Sequence, residues 1–416
     1  MSEYKLTVGL EVHAELSTKT KMFCNSKNDP DEERPNVNIC PVCMGYPGTL
    51  PVVNSEAVRS VLRLGTAVRG TIADYTEFDR KNYFYPDIPK GYQISQYKHP
   101  LVTGGELAGV TLTRVHLEED TASSSHPSHE NGEGESLVNF NRAGAPLMEL
   151  VTEPVIHTAE DASRFAKELQ LVMQYLDISH ANMEKGEMRV EANISVSNTD
   201  ALGQKVEVKN LNSFKAVEKA IAYETKRHIE LLEKGESVAQ ETRGWDENKE
   251  VTFSQRAKED SHDYRYFPDP DLPKLFISEI PEFSNDALKE SLPELPQAKR
   301  ERFSRDYGVK DADIEVYVRN PEVGEYFEAV AKELRSNLKD HNLFALASNY
   351  ILTDMKGKVR AESLAELVRM AGEGSLSSRG AKDLLKIIET EGGDPRTIAD
   401  ARGLIQKNDE GEIKKV

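Results

Sequence analysis

From Leu6 to Glu15 the chain alternates without a break: Leu6, Val8, Leu10, Val12 and Ala14 are apolar, and Thr7, Gly9, Glu11, His13 and Glu15 stand between them. A period of two fits a strand with one face against a core and the other open, and it fits no helix. It also sets Glu11 and His13 side by side on the open face. The pattern returns over residues 188–196, with Met188, Val190, Ala192, Ile194 and Val196 on one side and Arg189, Glu191, Asn193 and Ser195 on the other. Lys205, Glu207 and Lys209 form a further polar stripe opposite Val206 and Val208. Between these stretches, Thr158 followed by Asp161 reads as a helix cap, and Phe165, Leu169, Val172, Met173 and Leu176 recur at helical spacing. Strands and helices are therefore mixed, without the regular alternation of a doubly wound parallel sheet.

At 416 residues the chain exceeds one ordinary hydrophobic core, and two or three domains are expected. Pro293 and Pro296 disfavour a continuous helix and mark a boundary. Beyond them apolar residues recur at helical spacing, as in Leu343, Leu346, Tyr350 and Ile351, and again in Leu364, Leu367, Val368 and Met370. The expected division is an α+β domain over 1–292, an all-α domain over 293–405 and a short charged end over 406–416. The stretch 123–136, rich in Ser, His, Gly and Glu, reads as a mobile loop with His126 and His129 solvated. No apolar run approaches the roughly 20 residues of a bilayer span, and Met1–Leu6 has no signal-peptide pattern, so a cytoplasmic protein with no membrane attachment is expected. The net charge of −18 disfavours a general affinity for polyanions, DNA included, so any RNA contact must be local. About −16 of that charge precedes Pro293 and about −2 follows it, which makes the C-terminal part the less repulsive surface for a nucleic acid.

Neither glycine-rich phosphate loop is present, so the candidates for chemistry are carboxylates and lysines on strands. The acids are Glu118-Glu119-Asp120, Glu149 among Leu147, Met148 and Leu150, and Glu11 beside His13. Magnesium takes oxygen ligands and commonly bridges carboxylates to phosphate. Glu149 either faces solvent from a strand or, if buried, needs a cation or a hydrogen-bonding partner. Lys81 and Lys90 lie in the densest mixture of aromatic and polar residues, 79–96, which suits either polyphosphate neutralisation with a base stacked on an aromatic ring or a Tyr-rich loop held by its own packing. Cys24, Cys40 and Cys43 resemble a zinc knuckle, but Ser26 stands where a fourth sulfur would complete it, and buried free thiols are the alternative.

These residues sit in longer matching runs. Val8-Gly9-Leu10-Glu11-Val12-His13-Ala14-Glu15-Leu16, Cys40-Pro41-Val42-Cys43 through Pro51, 78–86, Tyr92-Gln93-Ile94-Ser95-Gln96, Leu117-Glu118-Glu119-Asp120, Asn141-Arg142-Ala143-Gly144, 209–214, 240–243 and 263–268 resemble the B-subunit family of aspartyl/glutamyl-tRNA amidotransferases. The resemblance implies a cradle-shaped catalytic domain, similar to the glutamine synthetase and guanido kinase fold, followed by a helical domain and a tail domain that hold tRNA. It implies transfer of the ATP γ-phosphoryl group to the side-chain carboxylate of Glu misacylated on tRNA(Gln), or of Asp on tRNA(Asn), after which ammonia displaces phosphate. By the same resemblance, His13, Glu119 and Glu149 are magnesium ligands, Glu11 and Glu118 join a second ion or orient waters, and Lys81 and Lys90 lie near the ATP phosphates. Ammonia would come from an amidase A subunit, with a small C subunit bracing the two.

The chain departs from the family pattern in five places. Thr121-Ala122-Ser123 replaces Ala-Gly-Lys, Glu191 and Asn139 stand where aspartate is usual, Ser26 breaks the four-cysteine set so that zinc is not carried over, and family members run past Val416, so a shortened tail is expected. Two other readings are a tRNA-binding scaffold subunit of the same complex without its own chemistry, and a ligase acting on a free small carboxylate. The helical C-terminal part argues against the second, since a small substrate needs no such extension.

Overall fold

The computed structural model describes residues 4–125, 135–257, 264–334 and 341–406. The chain divides into two compact units, Met1–Pro293 and Glu294–Val416.

The first unit is built on a ten-stranded sheet whose middle consists of Val206–Leu211, Met188–Ser197, Lys5–Glu15, Pro146–Thr152 and Val110–Glu119, in that order and all antiparallel. The next pairing outward, Val206–Leu211 with Glu241–Asp246, is parallel. Alternation decides which side chains meet. Leu10, Val12, Ala14, Val115, Leu117, Met148, Leu150, Val190, Ala192 and Ile194 are all buried on one face. The helices Ala159–Tyr175 and Phe214–Glu233 pack on each other and on that sheet, and contribute Phe165, Leu169, Val172, Val217 and Ile221 to the same core. Both begin on the hydroxyl caps expected of such sequences, Thr158 accepting from the Asp161 N–H and Ser213 from the Ala216 N–H. A third helix, Ser55–Ala67, packs so closely that a Cβ on Gly65 would lie 2.5 Å from Val102 Cγ2. Any larger residue there overpacks the contact and forces Val102 and Ile72 or the helix to shift.

Two short additions shape the other, polar side. Asp79–Asn82 pairs with Tyr92–Ser95 and with Phe267–Pro268 in a three-stranded sheet. Ser123–Ser125 pairs with Leu137–Asn139, so the start of the stretch 123–136 read as a mobile loop is strand and its partner follows directly after it, while His126 and His129 lie outside the described residues. Asn139 sits in this ribbon and accepts from the Asn36 and Asn141 N–H groups, so it is a turn former and no member of the sheet's polar face.

The second unit is helical: Pro296–Tyr307, Asp311–Arg319, Pro321–Leu334, His341–Asn349, Ala361–Gly372, Ser378–Thr390 and Pro395–Ala401. Pro296, Pro321 and Pro395 open their helices, where the missing N–H costs nothing. Its core is aromatic: the Tyr317 and Phe327 rings stack at 4.7 Å, with Phe303 5.8 Å from each and Tyr307 5.2 Å from Phe303. Leu364, Leu367, Val368 and Met370 are buried as their spacing predicts. In His341–Asn349, however, Phe344 and Ala347 carry the buried face and Leu343 and Leu346 are half-buried. Among the described residues no helix is long and apolar enough to cross a membrane.

Candidate active site

The sheet register builds one row of polar side chains across four strands. His13 lies opposite Arg189 on one side and Glu149 on the other, and Glu149 lies opposite His116. Period-two alternation then brings Glu11, two residues from His13, and Glu118 and Arg114, two residues from His116, onto the same face. His13 Nε2 is 3.4 Å from Glu149 Oε2, 3.7 Å from Glu118 Oε1 and 3.8 Å from Glu11 Oε1. Glu149 is only 6% exposed, so the solvent-facing reading fails. It is held by His116 Nε2 at 3.4 Å and Arg114 Nη2 at 3.3 Å as well as by His13.

The charges on this face pull against one another. Burial alone would raise Glu149, but the imidazoles of His116 and His13 hold it well below the usual carboxylate range. Burial also opposes a charged His13, yet the hydrogen bond and charge of Glu149, with Glu118 and Glu11, raise it to about 9. Glu11 is pushed up to about 7 by burial and by Glu149 and Glu191. A carboxyl group that carries a proton near neutrality beside two other acids marks a surplus of negative charge, which a dication would relieve. Glu11, His13 and Glu149 lie closely enough to share one ion, and His116, Glu118 and Glu149 to share another, and carboxylates with an imidazole are a donor set that suits Mg²⁺ or Mn²⁺. The residues present fit such an ion.

Glu118 and Glu119 part company at this point. Adjacent strand residues face opposite ways. Glu118 therefore joins His13 and Glu149 and accepts from Ser95 Oγ at 3.1 Å. Glu119 instead takes the Lys90 ammonium at 2.6 Å and the Ile94 N–H at 2.9 Å, while Gln93 Nε2 donates to its carbonyl at 2.7 Å. Gln96 Oε1 accepts from the Leu117 N–H at 3.0 Å. The run 92–96 is thus the brace that fixes both acids, a reason for its amide and hydroxyl residues that the sequence alone does not supply. The structure brings Glu11, His13, Glu118 and Glu149 together; Lys90 and Glu119 form a separate pair beside a cavity of ≈ 230 Å³.

Lys81 projects from the small sheet. Its ammonium lies 5.1 Å from the centre of the Tyr264 ring and 5.9 Å from that of Tyr83, and although burial opposes its charge, Glu118, Tyr266 and Glu149 raise it. The run 264–268 is pinned there by Asn82 Nδ2, which donates to the Tyr264 and Arg265 carbonyls, and by Arg80, which pairs with Asp269 at 2.8 Å. Phe84, in the turn beyond, is 87% exposed. Sequence reasoning passed over His116 and Arg114; the alternation of Arg114, His116 and Glu118 was the signal that could have found them.

At the other end of the polar face, Lys209 bridges Glu191 at 2.8 Å and Glu207 at 3.9 Å, so the longer Glu191 side chain is satisfied where it stands. The three cysteine sulfurs do converge. A closed zinc site takes four nitrogen or sulfur ligands, and here the fourth neighbour is the Ser26 hydroxyl, 3.8 Å from Cys43 Sγ, with the Lys21 ammonium at 3.7 Å. That donor set does not fit a structural zinc.

Residues 6–281 match the GatB/GatE catalytic domain, and 325–416 match the GatB domain. The chain belongs to the GatB family. It is similar to the B subunit of the aspartyl/glutamyl-tRNA(Asn/Gln) amidotransferase of Gloeothece citriformis, 42% identical over 438 residues that span 100% of this chain and 88% of that protein. The protein of the same name from Thermomicrobium roseum is 42% identical over 431 residues, with the same coverage. That from Dehalococcoides mccartyi is 40% identical over 438 residues, covering 99% and 88%. The acid cluster, the Lys81 sheet and the Lys90–Glu119 pair all lie inside the segment matched to the catalytic domain of this GatB-family chain.

Proposed function

We propose that the chain is the activating subunit of a tRNA-dependent amidotransferase, and that the polar face around His13 and Glu149 is where the side-chain carboxylate of Glu-tRNA(Gln) or Asp-tRNA(Asn) is phosphorylated by ATP. The observation that carries this reading is the convergence of Glu11, Glu118 and Glu149 on the His13 imidazole, with the half-buried Lys81 held in their field, inside the segment matched to the catalytic domain. On this reading the first unit has the cradle architecture of glutamine synthetase-like enzymes and the helical unit helps hold the tRNA in the cytoplasm.

A free carboxylate is a poor acylating agent because its leaving group would be an oxide. Its attack on the γ-phosphorus of ATP expels ADP and gives an acyl phosphate, and ammonia then attacks the carbonyl carbon and expels phosphate. Catalysis of the first step is largely positioning and charge neutralisation. His13, Glu118 and Glu149 would hold a divalent cation, with Glu11 near enough to join them; when bound, the cation supplies neutralising charge to phosphate oxygens. His116 and His13 keep Glu149 ionised, and Arg114, 3.3 Å away, helps aim it. Lys81, walled by Tyr83 and Tyr264, meets the transferring phosphoryl group as a partly desolvated cation, where its charge acts more strongly. Glu119 fixes Lys90 at the edge of the neighbouring cavity, ready for a second anionic group of the substrate. Ammonia would be delivered from glutamine by an amidase partner subunit, with a small third subunit bracing the pair.

The test is reconstitution with the amidase and small subunits, glutamine, ATP and each misacylated tRNA, followed by deacylation and identification of the amino acid. Glutamine or asparagine is the expected product, and it should disappear when ATP is withheld. Recovery of only glutamate and aspartate from a complex with active glutaminase would contradict the proposal.

A further inference from the structure

Lys21 is 0% exposed, yet its ammonium has no carboxylate at ion-pair distance among the described residues. Its partners are the Phe140 carbonyl at 3.2 Å and Cys43 Sγ at 3.7 Å; burial lowers the ammonium below the ordinary lysine value, and the charges that oppose this come from Cys43, Cys24 and Cys40. A buried ammonium without an anion is strongly disfavoured. The sulfur it faces is also the focus of the cluster: Cys43 Sγ accepts from the Cys40 N–H at 3.1 Å, lies 3.4 Å from the Cys40 carbonyl oxygen, and has Ser26 Oγ and Cys40 Sγ each 3.8 Å away.

We infer that Cys43 is a thiolate paired with Lys21 in place of a structural metal, and that it is the point at which hydroperoxides oxidise the chain, with Cys40 closing the product to a Cys40–Cys43 disulfide. The Lys21 ammonium at 3.7 Å and the Cys40 N–H at 3.1 Å both meet Cys43 Sγ, and hydrogen bonding from Cys24 together with these two pulls the Cys43 thiol down against burial. Nucleophilicity therefore concentrates on one of the three sulfurs. Access comes from the cavity of ≈ 230 Å³, whose wall includes Cys24 and Cys43 together with Lys90 and Glu119. Cys40 and Cys43 lie on one tight turn, closed by the Met44 N–H to the Cys40 carbonyl at 3.0 Å, so the two sulfurs need move only a short way to bond.

The chemistry balances with a hydroperoxide as oxidant. The thiolate attacks one peroxide oxygen, the O–O bond breaks, and the departing alkoxide or hydroxide takes a proton, leaving a sulfenic acid on Cys43. The Cys40 sulfur then attacks the Cys43 sulfur and loses its proton as hydroxide leaves, so one water forms with the S–S bond. In all, two thiols lose two electrons and two protons and the peroxide is reduced.

The test treats the full chain, purified without added metal, with a few equivalents of hydrogen peroxide and maps the products by peptide mass spectrometry. The expected product is a Cys40–Cys43 disulfide that a thiol reductant reverses. Cys40→Ser should instead leave a sulfenic acid on Cys43 that a cyclic 1,3-dione captures. Lys21→Met should slow oxidation of Cys43 roughly tenfold, and Lys21→Arg should restore most of the rate. One bound zinc per chain in the isolated protein, oxidation falling first on Cys24, or equal rates in Lys21→Met and the parent chain would each overturn the inference.

Discussion

Glu149→Gln is expected to lower tRNA-dependent ATP turnover and amide formation on the order of a thousandfold, the scale of removing one preorganised charge from a transition state. The change keeps the shape of the side chain and removes only its charge. That charge is what His13, His116 and Arg114 converge on, and what holds His13 up at about 9. Without it a dication loses a central ligand and the two imidazoles lose their common anchor. Steady-state phosphate release, in the complex with misacylated tRNA, measures the effect. Glutaminase activity of the partner is the control: it should survive, because nothing in the Glu149 cluster handles glutamine. A Glu149→Gln complex that amidates tRNA within a fewfold of the parent rate would show that the cluster is only structural.

Lys81→Met should cost on the order of a hundredfold in the same assay, with the KM for ATP raised less than kcat falls. The half-buried ammonium is placed between aromatic rings and within the field of Glu118 and Glu149, so its charge is already partly desolvated before any phosphate arrives. Methionine keeps the aliphatic stem and its contacts with Tyr83 and Tyr264 while removing the charge. Lys81→Arg is the informative companion. A guanidinium is wider than an ammonium and does not fit the same slot, so only partial recovery is expected. If Lys81→Met changes neither constant, the transferring group is neutralised elsewhere, and Lys90 becomes the cation to examine.

Strand alternation carried most of the fold into view. It oriented Lys5–Glu15 and Met188–Ser197 correctly, face by face, because a sheet buried on one side leaves each residue only two options. What it does not contain is the order of strands. That Glu149 lies opposite both His13 and His116 is a fact of pairing between segments more than a hundred residues or more than thirty residues apart, and no local pattern encodes it. The same limit explains the exchange of Glu119 for Glu118 beside His13. Both sit in one acidic run, and only the phase of Val110–Glu119 against its neighbours decides which faces the imidazole. Lys21 was overlooked for a different reason: in sequence it is an ordinary lysine near a cysteine, and its meaning comes wholly from burial.

The most direct measurement is the anomalous difference map of crystals of the complex grown with Mn²⁺ and an ATP analogue. A manganese peak is expected within bonding distance of His13, Glu118 and Glu149, with Glu119 still paired to Lys90. An ordered site without that peak, or a peak bound by Glu119 while Glu118 points away, would contradict that expectation.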